Sequence, residues 1–267
     1  MVGASSRVFA ILGSPVAHSL SPTMHNAAFR ALGLDAVYIA LRCDPGQVEH
    51  LIRAIGAAGG GGNVTVPHKE TAVSAIDRPS DAMRRVGACN TFWGEHGATA
   101  GDNTDIEGLN VALQDLDAPA TAWLVAGTGG GARAVVGAAR EKGVAIAVRS
   151  RDPERRRKFE EWTRASGVTV TAPASCEVLI NTTPLGLTYT DHLPIALDEA
   201  PGACVALDMV YQRGETVWTR SMRQSGLRAA DGRGLLVAQG AAAFQRWFPA
   251  ESPPIDIMRA AVDDALR

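Results

Sequence analysis

A glycine turn flanked by apolar runs constrains this 267-residue chain more than any other feature. Ala122 to Ala126 is a short apolar run, Gly127-Thr128-Gly129-Gly130-Gly131-Ala132 follows, and a helical pattern then continues to Lys142 before the apolar run Val144 to Val148. Strand, glycine turn, helix, strand is a βαβ unit, and parallel strands joined in this way require helices packed on a sheet. In that context Gly127-x-Gly129-x-x-Ala132 fits the dinucleotide fingerprint. Its first glycine permits the tight turn, its second lets backbone amides approach a pyrophosphate, and its small third position lets helix lie on strand. The competing reading of the same glycines is a purely structural turn.

The tip of the next strand bears on which dinucleotide is bound. NAD sites carry an Asp or Glu there that bonds the ribose hydroxyls. This chain has Arg149-Ser150-Arg151-Asp152, with Arg155, Arg156 and Arg157 just beyond. A guanidinium suits the dianionic 2′-phosphate of NADP through charge-assisted, bidentate hydrogen bonds. The plainer alternative is a solvated basic helix start, which the helix dipole disfavours. Asp152 either partly neutralises the site or serves the ribose of NAD.

The first third of the chain has a similar rhythm: an apolar strand at Val8 to Leu12, a helix from Pro22 to Leu32, a strand at Val37 to Leu41 and a helix near Gln47 to Ala57. Ser21-Pro22 reads as N-cap and first helical residue. A glycine run, Gly59 to Gly62, precedes a strand at Asn63 to Val66; two helices are expected after Lys69, then a hairpin of Ala88 to Trp93 with Ala98 to Asp102. A polar helix near Asp105 to Leu116 leads into the glycine-turn block. Later strands are expected at Val178 to Asn181 and Cys204 to Asp208, a helix after Thr216, and closing helices at Leu235 to Trp247 and Pro254 to Leu266.

Composition excludes several classes. With 26 basic and 28 acidic side chains and 46% hydrophobic residues, the chain is neither disordered nor basic enough to suggest nucleic acid. Its longest apolar runs fall far short of the roughly 18 residues that span a bilayer, so no membrane partner is expected. The stretch after Arg7 breaks at Gly13-Ser14-Pro15, too short for a signal-peptide core, and a cytoplasmic chain is expected. Cys43, Cys89, Cys176 and Cys204 show no paired spacing, so neither zinc nor disulfides are indicated.

The first block also holds small polar side chains where strands end and loops begin: His18-Ser19-Leu20-Ser21-Pro22, Asn63 to Lys69, Asn90-Thr91 and Asp102-Asn103-Thr104-Asp105. Each has an ordinary reading of its own, such as Asn90 as turn former or Asp105 as helix cap. As a set they supply hydroxyls, amides, one carboxylate and one lysine without a metal-ligand cluster, which suits a small polyhydroxylated acid. With these motifs in this order the chain resembles the shikimate dehydrogenase family, from Gly13-Ser14-Pro15 to Gln239. Gly87 to Thr91, Asn181 to Gly186, Asp208 to Tyr211 and Gly232 to Gln239 carry the rest of the likeness.

The resemblance implies an α/β fold with an N-terminal α/β substrate domain, residues 1–105 completed by helices at 235–267, and a Rossmann-type dinucleotide-binding domain at 106–234, with the active site in the cleft between them. It implies reversible reduction of 3-dehydroshikimate to shikimate with NADP(H), on the route to chorismate and the aromatic amino acids. Lys69 and Asp105 would flank the reacting oxygen; Ser19, Ser21 and Tyr211 would bind the carboxylate; Thr65, Asn90 and Gln239 would bind ring hydroxyls. Gly127, Thr128, Gly129, Gly130 and Gly131 would hold the pyrophosphate, Ser150, Arg151 and Arg155 the adenosine phosphate, and Met209 and Gly232 the nicotinamide, with Asp81 an acidic residue close to the cofactor. Ser150, Cys89 and Leu235 stand where the family commonly has Asn, Val or Ile, and Met. The rival readings are an NAD-dependent quinate relative, against which Ser21 argues, and a catalytically weak binding or regulatory homologue, against which Lys69 and Asp105 argue. Both monomers and homodimers occur in such a family.

Overall fold

Strand β1 (Arg7–Gly13) is covered along most of its length, Phe9 to Leu12 being almost inaccessible, so both its edges need hydrogen-bonding neighbours. They are supplied in parallel by β2 (Ala36–Arg42) and β3 (Gly61–Val64). The computed structural model describes residues 2–186 and 192–267 and divides into two units, Met1–Gly108 with Leu236–Ala265 and Leu109–Leu235 with Leu266–Arg267. The first unit carries a mixed sheet in the order β2-β1-β3-β5-β6-β4, where β4 is Arg78–Pro79, β5 is Thr91–Glu95 and β6 is Ala98–Asp102. The β5–β6 turn at His96 and Gly97, with φ of 49° and 76°, is the left-handed kind whose twist matches the strands.

Glycine in β3 reflects a close approach of backbone. A Cβ on Gly62 would lie 1.9 Å from the Ala10 carbonyl oxygen; Gly61 and Gly62, the second half of the glycine run, belong to central β3, so the strand expected at Asn63 to Val66 begins and ends two residues earlier. Pro67 lacks the N–H that would prolong the ladder. The two helices expected after Lys69 become a 3₁₀ turn at Thr71–Ala75 and one α-helix, α3 (Asp81–Val86).

This unit's helices are α1 (Ser21–Ala31), α2 (Val48–Ala57), α3 (Asp81–Val86), most of α8 (Arg233–Trp247) and α9 (Ile255–Ala265), and α4 (Asp105–Asp115) begins in it. On one side of the sheet Phe9, Phe29, Phe244, Trp247 and Phe248 form an aromatic core. On the other, Leu12, Ile52, Val64, Met83 and Phe92 pack together.

His25 sits inside the aromatic core, stacked on Tyr38 at 4.7 Å, and neither ring nitrogen has a hydrogen-bond partner among the described residues. Burial lowers its pKa from 6.5 to about 3. Between those values an unfolded chain takes up a proton that the folded chain refuses, so stability present above 6.5 is lost as pH falls, by up to about 1.4 kcal/mol per pH unit. His25→Phe should therefore lose about 2.5 kcal/mol less than the parent between neutrality and about pH 4.5 in urea unfolding. Equal acid losses in the two proteins would assign the dependence to other groups.

The second unit carries a parallel sheet in the order β11-β10-β9-β7-β8, with β7 at Ala122–Ala126, β8 at Ala145–Arg149, β9 at Val178–Asn181, β10 at Val205–Asp208 and β11 at Arg228–Ala230. Helices α5 (Gly130–Lys142), α6 (Pro153–Ala165) and α7 (Val217–Gln224) complete it. Its core gathers Leu124, Leu179, Ile195 and Trp218, whose indole donates to the Ile195 carbonyl at 2.9 Å. Strand order reverses between β7 and β9, and in such sheets ligands bind at the carboxyl ends beside that point. No helix among the described residues is long and apolar enough to cross a membrane.

Candidate active site

The backbone first brings the segment after Pro67 to the loop before β5: the Cys89 amide donates to the Lys69 carbonyl at 2.7 Å. The Lys69 side chain then donates from Nζ to Asp105 Oδ2 at 2.5 Å. The two side chains are only 12% and 5% exposed, so this is a shielded ion pair rather than a solvated one. Asp105 opens α4, where the helix dipole favours a carboxylate. Its second oxygen accepts from Asn90 Nδ2 at 2.8 Å, and the same nitrogen reaches Gln239 Oε1 on α8 at 3.4 Å.

Asn90 is itself held from behind. Its Oδ1 accepts from the Thr104 amide at 2.7 Å and from Thr91 Oγ1 at 3.0 Å. Thr91 accepts from Asn63 Nδ2 at 3.0 Å, and Tyr38 donates to Asn63 Oδ1 at 2.7 Å. A chain of buried hydrogen bonds thus runs from Tyr38 to Lys69, and networks of this kind rigidify the groups they end on. Tyr38 carried no assigned role in the sequence; its one signal was a hydroxyl on an otherwise apolar strand. Burial raises its pKa well above the ordinary tyrosine value, keeping that hydroxyl a donor.

The structure groups Lys69, Asn90, Asp105 and Gln239 directly. Thr65 is placed over Gly13, where a Cβ would fall 2.4 Å from Thr65 Cγ2. Ser19 is half-buried and Ser21 buried at the start of α1. The N-cap expected at Ser21 belongs to Leu20 instead, and Ser21 is the first helical residue. Ser19 Oγ accepts from the Ser21 amide at 3.3 Å, and the Leu20 carbonyl accepts the first helical bond, from the Met24 amide at 3.0 Å. Asp81 lies exposed in the first turn of α3, which Ser80 caps. Asp102 is bound by Ser80 and by Arg246 Nε at 3.0 Å, which holds β6 to α3 and α8.

In the second unit, Gly127 has φ of 111°, and a Cβ there would fall 2.4 Å from Thr182 Oγ1. Glycine is therefore required on both counts. Gly129 takes the N-cap position of α5 without a side-chain cap, and nothing lies within 4 Å of where its Cβ would be. The amides of Gly130 and Gly131, in the first turn of α5, have no acceptor within the helix, and a helix start of this kind is a cradle for an anion. Met209 Sδ lies 3.5 Å from the would-be Cβ of Gly131, and the Met209 carbonyl lies 2.3 Å from that of Gly232, so these positions converge; Thr128 stands in the turn between Gly127 and Gly129. Asp208, at the end of β10, accepts from Asn181 Nδ2 and Thr216 Oγ1, both at 2.8 Å, and from the Val210 amide at 3.1 Å, anchoring the turn that carries Met209 and the half-buried Tyr211. Burial raises the pKa of Asp208 to about 6.

Basic residues after β8 divide into two sets. Arg149 Nε meets both oxygens of Glu199, at 2.7 and 2.9 Å. Arg156, Arg157, Lys158 and Arg164 all pair with glutamates of α6. Arg151 and Arg155 are exposed and have no acidic partner among the described residues. Asp152 caps α6, accepting from the amides of Glu154 at 2.9 Å and Arg155 at 3.1 Å, which commits its carboxylate to the helix. A cavity of about 230 Å³ borders Arg149, Ser150, Arg151, Arg156 and Glu199. A helix start without a side-chain cap, following β7, and guanidinium groups without an acidic partner among the described residues, following the adjacent β8, have the chemistry to hold a phosphorylated dinucleotide, so the residues present fit that cofactor.

Among the described residues, no group of three or more His, Cys, Asp or Glu is placed to hold a metal ion. Cys89, close to the Lys69 backbone, is buried and its pKa is pushed up to about 12, which keeps it a thiol.

Comparison with known proteins identifies relatives of the whole chain. A family model described as shikimate dehydrogenase substrate binding domain matches residues 11–92, and one described as shikimate 5′-dehydrogenase C-terminal domain matches residues 232–262. The chain is 38% identical to a shikimate dehydrogenase (NADP(+)) of Methanosarcina mazei over 98% of its own length and 99% of the relative's. It is equally, 38%, identical to one of Symbiobacterium thermophilum, covering 97% and 95% of the two chains. Among solved structures, a shikimate dehydrogenase in complex with NADP+ superposes with a TM-score of 0.90 at 29% identity, covering 100% of this chain and 98% of that one. Shikimate 5-dehydrogenase from Thermus thermophilus in complex with NADP(H) and shikimate gives 0.84 at 34% identity, with 100% of both chains covered.

Proposed function

The chain belongs to the shikimate dehydrogenase family, and on that premise we propose that it catalyses the reversible NADP(H)-dependent reduction of 3-dehydroshikimate to shikimate, a step of aromatic amino-acid biosynthesis. The observation that carries the reading is the shielded Lys69–Asp105 pair, braced by Asn90 and set beside Gln239. NADPH, when bound, supplies the hydride that reduces the ring ketone. Lys69, as an ammonium, then stabilises the negative charge that develops on the carbonyl oxygen and delivers the proton that makes it a hydroxyl. In the reverse direction the neutral amine takes that proton back.

Asp105 holds the lysine in place, while Thr65, Asn90 and Gln239 bind ring hydroxyls and so fix the ring for transfer. Ser19, Ser21 and Tyr211 hydroxyls donate to the carboxylate. Under this reading residues 1–105 with 235–267 bind substrate, and 106–234 bind NADP(H) through Gly127 to Gly131, Ser150, Arg151, Arg155, Met209 and Gly232, with Asp81 close to the cofactor. The protein then acts on small molecules, in the cytoplasm, as a monomer or homodimer.

The test is a comparison of initial rates for shikimate and quinate oxidation with NADP+ and with NAD+. Shikimate with NADP+ is expected to dominate. Dominance of quinate or NAD+ would move the reading to a quinate enzyme, and no turnover in any combination would remove the enzymatic reading. The partnerless guanidinium of Arg151 makes a second expectation. Arg151→Ala should raise KM for NADPH by roughly tenfold, the scale of one charge-assisted contact, and leave that for NADH nearly unchanged. Equal effects on both cofactors would place Arg151 elsewhere.

A further inference from the structure

We propose that Glu199 is a specificity-determining residue that weakens the preference for NADPH over NADH by holding Arg149 out of reach of the 2′-phosphate. The inference rests on the proposed NADP(H) reading. Arg149 ends β8, one residue before Ser150 and two before Arg151, and it borders the same cavity. Of the charged residues on that cavity, Arg149, Arg151 and Arg156 are cations and Glu199 is the acid. Arg149 does not share the freedom of Arg151, because its Nε is bound by both Glu199 oxygens, and Glu199 is fixed in turn by the Ala196 amide, which donates to Oε1 at 3.0 Å.

Two physical effects act with the same sign. The ion pair occupies a guanidinium otherwise positioned to meet a dianion, and the carboxylate adds a like charge beside that dianion. Both penalise a cofactor bearing the 2′-phosphate, and neither acts on one that lacks it. The pair is about one-third exposed, 34% and 30%, so solvent moderates the penalty without abolishing it. Glu199→Gln removes the charge while keeping an oxygen for the Ala196 amide, so the local turn is retained.

The experiment measures binding of adenosine 2′,5′-bisphosphate and of 5′-AMP by calorimetry, together with kcat/KM for NADPH and NADH. In Glu199→Gln the bisphosphate-to-AMP affinity ratio and the NADPH-to-NADH ratio should both rise, by roughly threefold to tenfold. Arg149→Ala, which leaves the carboxylate unneutralised, should lower both ratios, and Arg149→Ala/Glu199→Gln should restore them to at least the parent level. A purely structural pair would not reverse sign between the two single variants. Parent protein that binds both nucleotides, with ratios unmoved by Glu199→Gln, would overturn the role of Glu199 alone. Parent protein that binds neither would overturn the cofactor reading as well.

Discussion

Lys69→Ala should lower kcat by roughly 10²-fold or more, the usual scale for loss of a positioned general acid or base, with the Kd for shikimate little changed. The physical ground is the environment of Nζ. It is 2.5 Å from Asp105 and the side chain is only 12% exposed, so bulk water is not placed to stand in as the proton donor once the lysine is removed. Alanine removes both the charge that stabilises the developing oxyanion and the proton that quenches it. The ring contacts proposed for Thr65, Asn90 and Gln239 remain, which is why binding should survive. Stopped-flow hydride transfer and a binding titration on the same preparation separate the two quantities. Near-normal turnover would remove Lys69 from the reacting centre, and loss of binding alone would make it a substrate anchor.

Asp105→Asn should reduce kcat by a comparable factor, roughly 10²-fold, and should also destabilise the fold by about 1–3 kcal/mol. The carboxylate has two oxygens facing two donors, Lys69 Nζ and Asn90 Nδ2. A carboxamide offers one acceptor and one NH₂. Whichever way it is turned, a donor meets a donor in a site where Asp105 is 4% exposed and water does not compensate. The lysine then loses either its anchor or the asparagine that braces the anchor. Kinetics and urea unfolding read the two losses independently. A variant that is fully active yet destabilised would make Asp105 structural only.

These two effects show where sequence reading stops. Gly127-x-Gly129-x-x-Ala132 between apolar runs identified the parallel β7-α5-β8 unit because glycine conformational freedom and side-chain size are local properties. The alternation of apolar and polar runs likewise placed most strands and helices near where they lie. Local patterns failed where a distant neighbour overruled them. Gly61 and Gly62 lay before the strand expected at Asn63 to Val66, yet they belong to central β3, where they pair with β1 and β5 and side chains would clash with Ala10 and Phe92. Ser21 read as a helix cap, yet the helix already includes it, with Leu20 at the N-cap and the Leu20 carbonyl accepting from the Met24 amide. The three-residue strand β11 carried too few residues for any period to register.

Residue types, their spacing and the family likeness were therefore determined by the sequence, since each is a property of short segments read in order. The bonding that joins Tyr38, Asn63, Thr91, Asn90, Asp105 and Lys69 spans positions far apart in the chain, and no local pattern encodes it. The division of the arginines was also a tertiary matter. Arg149 and Arg151 are indistinguishable as members of one basic run, and only the folding of Glu199 against the end of β8 leaves one engaged and the other without an acidic partner among the described residues. Hydrogen bonds and ion pairs act over a few ångströms in space, whatever the separation in sequence, so the three-dimensional path of the chain decides which polar groups meet.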